Sequence, residues 1–332
     1  MKVSVIISNR NDVSMLVVTI RSILEELRPL NDDSDIIIVD NSDLDDYKLL
    51  NDEFPRGYLE TGKIKFFRQD FPCIFTARET AIKQSKATYI VCVDSHMLVG
   101  RNMILDLVTF MDTHKDDETL GFAHAPINWL HQSESKSRHD RDMSECELGN
   151  WGLKHNKVQT ITWKGMPWIC KREWFLSRED GIGGYGALSQ HHLAWGGGDM
   201  HIGIKPWLLG YKNWAVPTSP AIHIGPFPNE IGDNPNYIRT HKYEARDKYR
   251  LYQLSGKGSV SLGFLVSCYI LGGEPMMQRN AKALTRRFSK VLDVKKSWDA
   301  AIAYGKDEKR WLDSEKVITF EELLTLKPWD SN

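Results

Sequence analysis

Closely spaced cysteine pairs are missing from this chain. Its five cysteines, Cys73, Cys92, Cys146, Cys170 and Cys268, form no CxxC, which excludes a zinc ribbon or a disulfide-stapled scaffold and fits a reducing compartment. Glycine cradles are missing too: no GxGxxG follows the first apolar run, and no GxxxxGK with Ser or Thr after it occurs. The usual dinucleotide and P-loop devices are thereby excluded, so a bound diphosphate needs another holder, and a metal ion is the obvious one. Charge of one sign is lacking: 43 basic against 44 acidic residues leave a net −1, so no overall field draws in nucleic acid or an anionic membrane. No stretch approaches about 18 consecutive apolar residues, and Met1 leads directly into Val3–Ile7, so neither a membrane span nor a signal peptide is expected.

What the 332 residues do contain is a rhythm. Short β-branched runs at Val3–Ile7, Ile36–Val39, Ile64–Phe67 and Tyr89–Val93 alternate with amphipathic stretches at 13–28 and 75–86. That βαβαβαβ order predicts a mostly parallel sheet covered by helices. Ligands of such sheets bind beyond the carboxyl ends of the strands, where three polar clusters fall: Ser8 to Asp12, Asp40 to Asp43, and Asp94 to His96. Residues 131–157 lack apolar periodicity and are expected to form a long loop. From about 229 onward helical patterns replace the β rhythm.

Three constellations could carry chemistry. In extended backbone Asp94 and His96 point the same way, so Asp94-Ser95-His96 could grip one cation; a carboxylate with an imidazole suits Mn²⁺ or a similar ion better than Ca²⁺. A strand-ending Asp followed by a turn His explains the same three letters equally well. Trp195-Gly196-Gly197-Gly198-Asp199 would bring backbone close to a ligand and set a carboxylate at the start of a helix over 199–210, unless Asp199 merely caps it. His223, between apolar neighbours, taken alone reads better as a hydrogen-bonded core residue. His191, His192 and His201 read as polar-loop and helix-surface histidines.

In this order the pieces resemble GT-A glycosyltransferases of the family 2 type, and particularly the branch that includes polypeptide N-acetylgalactosaminyltransferases. Ser4–Asn11 looks like the first strand and nucleoside loop, and Ile36–Ser42 like the second strand with its base-binding Asp. Ala77-Arg78 leading through Ala81 and Ser85 to Val93-Asp94-Ser95-His96 is similar to the arginine-bearing helix before that branch's metal motif. The segment from Gly165 through Gly183-Gly184-Tyr185 to Trp195–Asp199 is similar to the acceptor side, although Asp199 stands where the branch usually has Glu.

The resemblance implies a GT-A fold over residues 1–228, with a mainly helical extension over 229–332. It implies a hexosyl- or pentosyltransferase that takes a nucleotide-sugar donor, UDP-sugar favoured, with Mn²⁺ or Mg²⁺ held by Asp94, His96 and His223. Asn9, Arg10, Asp40, Ser42, Arg78, Asp94, Ser95 and Trp195 are then expected to line the donor site, with Arg78 and Asp199 acting in catalysis. Arg10 and Arg78 could instead form structural ion pairs, and Asp199 could deprotonate the acceptor or only position groups.

No lectin-like disulfide module follows, so a cytoplasmic protein of a bacterium or phage is expected, with a glycan, a protein or a hydroxymethylated DNA base as acceptor. The segment 279–296 holds seven basic residues against Asp293, and its helix face could track DNA phosphates, an ordinary solvated face being the simpler reading. Two other classes fit parts of the pattern, a nucleotide-sugar pyrophosphorylase and a non-catalytic nucleotide- or glycan-binding module. The first needs a glycine-rich loop after strand one, and Ser8-Asn9-Arg10-Asn11 has no glycine.

Overall fold

The computed structural model describes residues 2–10, 12–42, 60–129, 138–140, 151–152, 158–163, 165–224, 260–287 and 294–326. Strands β1 (Val3–Asn9), β2 (Ser34–Asp40), β3 (Ile64–Arg68) and β4 (Tyr89–Asp94) form a parallel set in the order β3-β2-β1-β4. Helices α1 (Val13–Leu27) and α2 (Ile74–Gln84) are the crossovers. All seven residues of β1 and of β2 are buried, which is why these strands read as continuous apolar runs rather than alternating ones.

The sheet continues beyond β4 through β11 (Trp168–Lys171), β6 (Leu120–His124), β12 (Lys212–Ala215) and β10 (Val158–Thr160), making eight strands. Here β11 runs antiparallel to both neighbours, whereas β12 is parallel to β6. Helix α3 (Met103–Thr113) precedes β6 and covers it, and short helices α4 (Arg172–Leu176) and α5 (Ala187–Gln190) follow β11. A second sheet joins β5 (Met97–Leu98), β13 (Ala221–His223) and β7 (Ile127–Trp129) in the order β5-β13-β7. It lies directly after β4 in the chain, and so it builds onto the carboxyl edge of the main sheet.

The expected long loop is partly structured: Arg138–Asp140 (β8) and Trp151–Gly152 (β9) pair as an antiparallel ribbon. The rest of 131–157 lies outside the described residues.

Helix α6 (Gly198–Leu208) is followed much later by α7 (Val260–Arg287), kinked at Gly273 with Pro275 beside it, then α8 (Val294–Glu315) and α9 (Phe320–Thr325). The expected helical extension is present over these ranges. Its apolar residues, among them Leu262, Leu265, Val266, Ile270, Leu312 and Phe320, are buried in the same cluster as β1, β2 and β4. The side chains of 282–296 lie outside the described set, and so does the expected basic face; Arg279, on α7, lies 3.8 Å from Glu321 of α9. No helix among the described residues is long and apolar enough to cross a membrane. Cys73, Cys92, Cys170 and Cys268 are buried free thiols.

Candidate active site

Parallel pairing sets the three polar strand ends side by side. In the β1 register Ser8 lies opposite Asp94 and Asn9 opposite Asp40. Asp40 is buried and its carboxylate is fully engaged: Oδ1 accepts from Asn9 Nδ2 at 2.8 Å and from the Ser42 hydroxyl, and Oδ2 from the Arg68 guanidinium. Arg10 donates to the Asn41 carbonyl and Arg68 to that of Ser42. The structure thus brings Asn9, Arg10, Asp40 and Ser42 together, with Asp40 organising its neighbours through both of its oxygens. Among the described residues, Ser8 Oγ, Asn9 Oδ1 and Asn41 Oδ1 at this edge are buried without a hydrogen bond. Buried polar atoms are ordinarily satisfied, so these three suit a polar ligand laid across the strand ends. Sequence reading missed Arg68; its signal was a basic residue closing the strand Ile64-Lys65-Phe66-Phe67-Arg68 at the same edge as Asp40.

Asp94 closes β4, and the next two residues turn into β5. Helix α1 fixes that turn, since the Thr19 hydroxyl donates to the Ser95 carbonyl and accepts from Met97 N, both at 2.9 Å. Ser95 itself is buried. Strand β13 then pairs with β5, placing His223 opposite Met97, while Ile224 N bonds the His96 carbonyl.

The outcome is a three-residue cluster: one ligand atom each from Asp94, His96 and His223, all within 4.8 Å of one another. His96 Nε2 and His223 Nε2 stand 3.1 Å apart, and His223 Nε2 is 3.8 Å from Asp94 Oδ2. Behind them Asp12 Oδ2 lies 2.8 Å from His96 Nδ1. With Nδ1–H given to Asp12, the Nε2 lone pair of His96 is turned toward His223. A carboxylate backing a histidine in this way is the usual orienting partner of a metal-bound imidazole. Burial alone would lower the His96 pKa, but the Asp12 hydrogen bond and the nearby Asp94 charge outweigh it and raise it. The donor set, one carboxylate and two imidazole nitrogens converging on a point, fits a borderline divalent cation.

Arg78, buried on α2, donates through Nη2 to Asp94 Oδ1 at 2.8 Å and through Nη1 to the Tyr185 hydroxyl at 3.4 Å. One Asp94 oxygen is therefore fixed by Arg78 and the other faces His223. Arg78 thus forms the ion pair that the sequence offered as one of its two readings. Asp12 fell within the polar cluster Ser8 to Asp12 and Tyr185 within the acceptor-side segment, but sequence reading assigned neither a role at the cation site.

One reading of the glycine-rich segment needs correction. Asp199 does not cap its helix: the cap is Gly197 in the left-handed region (φ 75), with no side-chain cap bond. Asp199 Oδ2 instead accepts from Gly165 N at 3.1 Å and its carbonyl from the Thr162 hydroxyl at 3.2 Å. Gly197 and Gly198 also serve helix packing. A Cβ at Gly197 would lie 2.6 Å from Ser267 Oγ of α7, and one at Gly198 would overlap the Phe75 ring of α2. They let α6 start in contact with two other helices. Trp195 packs edge-on to Phe264 of α7, ring centroids 6.3 Å apart.

His201, expected on a helix surface, is fully buried, its Nε2 3.1 Å from Glu308. His191 stacks on Tyr304, and His192 Nδ1 lies 3.2 Å from the Thr76 hydroxyl.

Comparison with known proteins agrees with this geometry. Residues 4–163 match the model for glycosyl transferase family 2. The fold is similar to that of GalNAc-T7 solved with UDP, GalNAc and Mn²⁺, with TM-score 0.59 and 18% identity over 95% of this chain and 56% of that one. It is also similar to Staphylococcus aureus TarS 1–349, with TM-score 0.51 and 13% identity over 98% of this chain and 85% of that one. The same protein bound to UDP-GlcNAc gives TM-score 0.50 and 11% identity over 98% and 85%. The chain therefore spans about half the length of the GalNAc-T7 chain. No curated protein sequence matches. A parallel β3-β2-β1-β4 sheet with polar strand ends, the Asp94-Ser95-His96 turn and the family match identify residues 4–163 as a family-2-like glycosyltransferase region with the GT-A fold.

Proposed function

We propose that the protein transfers a sugar from a nucleoside-diphosphate donor, UDP-sugar favoured, to a hydroxyl acceptor, with a divalent cation at Asp94, His96 and His223. The observation that carries this reading is the convergence of those three side chains, backed by Asp12, at the carboxyl edge of a nucleotide-binding type of sheet. When bound, such a cation neutralises charge on a leaving diphosphate. Mn²⁺ is the favoured ion, since it accepts carboxylate and imidazole together; GalNAc-T7 was solved with Mn²⁺ and UDP, and TarS with UDP-GlcNAc.

The remaining work falls to the chain's own residues. Ser8, Asn9 and Asn41 offer side-chain oxygens to the nucleoside, and Asp40 keeps Asn9 and Ser42 in place for it. Arg10, Ser95 and Trp195 complete the donor wall in this reading. Arg78 holds Asp94 in a fixed rotamer and brings a cation to the edge where diphosphate charge would lie. Asp199 is the carboxylate assigned to the acceptor hydroxyl: its Oδ2 is oriented by Gly165 N, and it would take or steer the hydroxyl proton. The extension beyond 229 is read as part of the same catalytic body, and the protein as a cytoplasmic one.

The test is release of UDP or GDP from a panel of UDP- and GDP-sugars, followed by chromatography with Mn²⁺ or EDTA, for wild type and Asp94→Ala. Mn²⁺-dependent UDP release that Asp94→Ala abolishes is expected. Release that is unchanged in EDTA and in Asp94→Ala would refute the assignment.

A further inference from the structure

We propose that Glu308, far along the chain in the helical extension, is a positioning residue for the donor site, acting through Tyr185 and Arg78; the proposal rests on the donor reading given above.

Glu308 sits on α8 and is buried together with Lys205 and His201 of α6. Its Oε1 accepts from Lys205 Nζ at 2.7 Å and lies 3.1 Å from His201 Nε2. Its Oε2 accepts from Ala187 N, while Lys205 Nζ also donates to the Gly184 carbonyl at 2.8 Å. The pair thus grips both ends of the short segment Gly184-Tyr185-Gly186-Ala187. Gly186 is held at φ +50, and any Cβ there would overlap the Glu308 carboxylate, so this backbone was shaped around that side chain.

Tyr185 projects from the gripped segment into the core, with no exposed surface, between the Phe75 and Phe175 rings. Its hydroxyl meets Arg78 Nη1 at 3.4 Å, and Arg78 Nη2 meets Asp94. The segment is clamped a second time from α2, where Glu79, next to Arg78, accepts from Tyr185 N at 2.7 Å and from the Ser189 hydroxyl at 3.0 Å. A continuous chain of contacts therefore runs from α8 to the first proposed metal ligand. Nothing in the chemistry of sugar transfer needs a buried Glu–Lys pair at that depth. A well-packed apolar pair would fill the space as stably, whereas a carboxylate with several fixed acceptor directions sets the 184–187 backbone in one place.

The measurement is calorimetric titration of UDP in the presence of Mn²⁺ at 25 °C. It compares wild type, Glu308→Gln, Tyr185→Phe and the two combined, with folding checked by circular dichroism. The expected result is that Glu308→Gln weakens UDP binding about tenfold in a folded protein, and that the same change in the Tyr185→Phe background costs less than about twofold, because both act along one path. Equal losses in the two backgrounds, or no loss, would overturn the proposal, since a purely structural role lowers the melting temperature without coupling to Tyr185. If Glu308→Gln does not fold, Glu308→Gln with Lys205→Met removes both charges together and takes its place, with the same two outcomes. Failure of wild type to bind UDP with Mn²⁺ would instead overturn the donor reading, and this proposal with it.

Discussion

His96 and His223 face each other through their Nε2 atoms across 3.1 Å, although 127 positions separate them in the chain. Pairing of β13 with β5 achieves this, and Asp12, at 2.8 Å from His96 Nδ1, sets the direction in which the His96 lone pair points.

Asp12→Asn should weaken Mn²⁺ binding by about 10- to 100-fold, as removal of an orienting carboxylate generally does. Asp12 stands at the start of α1 but makes no side-chain cap bond there, so the helix loses nothing and the melting temperature should hold. Titration of Mn²⁺ followed by electron paramagnetic resonance checks this; unchanged affinity would show that Asp12 does not orient His96.

Arg78→Lys keeps the charge but loses the fork that reaches both Asp94 and Tyr185. One charge-assisted hydrogen bond is worth about 1.5–3 kcal/mol, so UDP affinity in Mn²⁺ should fall by about 10- to 100-fold. A lysine that served as well would mean that Arg78 contributes charge alone.

Gly197→Ala should damage stability rather than binding. The residue lies at φ +75 and a Cβ would come within 2.6 Å of Ser267 Oγ and 2.9 Å of the Gly263 carbonyl. Overpacking of this kind costs about 1–3 kcal/mol, which differential scanning calorimetry would register as a lower melting temperature. Loss of UDP affinity in a fully folded Gly197→Ala protein would support the ligand-approach reading of the glycines.

Stability should depend on acid pH through Glu308. Burial alone would raise its pKa, but the Lys205 charge and the His201 contact outweigh it and hold the carboxyl far below its ordinary 4.5. A depressed folded pKa means stability that is complete above 4.5 and is lost as pH falls toward the folded value. The advantage of wild type over Glu308→Gln should therefore shrink by about 2 kcal/mol between pH 6 and pH 3. Urea melts of both proteins across that range measure it, and a constant difference would contradict it.

Strand ends were legible because period and position are local properties. Val3–Ile7, Ile36–Val39 and Tyr89–Val93 announce buried parallel strands by their short runs rich in Val and Ile; Asp40 and Asp94 follow the second and third directly. What joined His223 to His96 was a β13–β5 pairing between strands of three and two residues, too short to carry a pattern. The packing role of Gly197 and Gly198 was not legible because a glycine shows only that something approaches closely; the bodies approaching these two are α7 and Phe75. His201 had a usable signal: α6 has almost no polar face, and a helix apolar all round is a buried one. Its His and Lys therefore had to find a partner inside, and Glu308, a hundred residues on, could not be named from spacing.

The proposed cation site is tested most directly by titrating UDP calorimetrically into wild type and into His223→Ala, each with Mn²⁺ and with EDTA. Wild type should bind UDP in Mn²⁺ and lose that binding in EDTA, and His223→Ala should bind at least about tenfold more weakly in Mn²⁺. Equal binding in Mn²⁺ and EDTA, or a His223→Ala protein indistinguishable from wild type, would contradict a cation held by Asp94, His96 and His223.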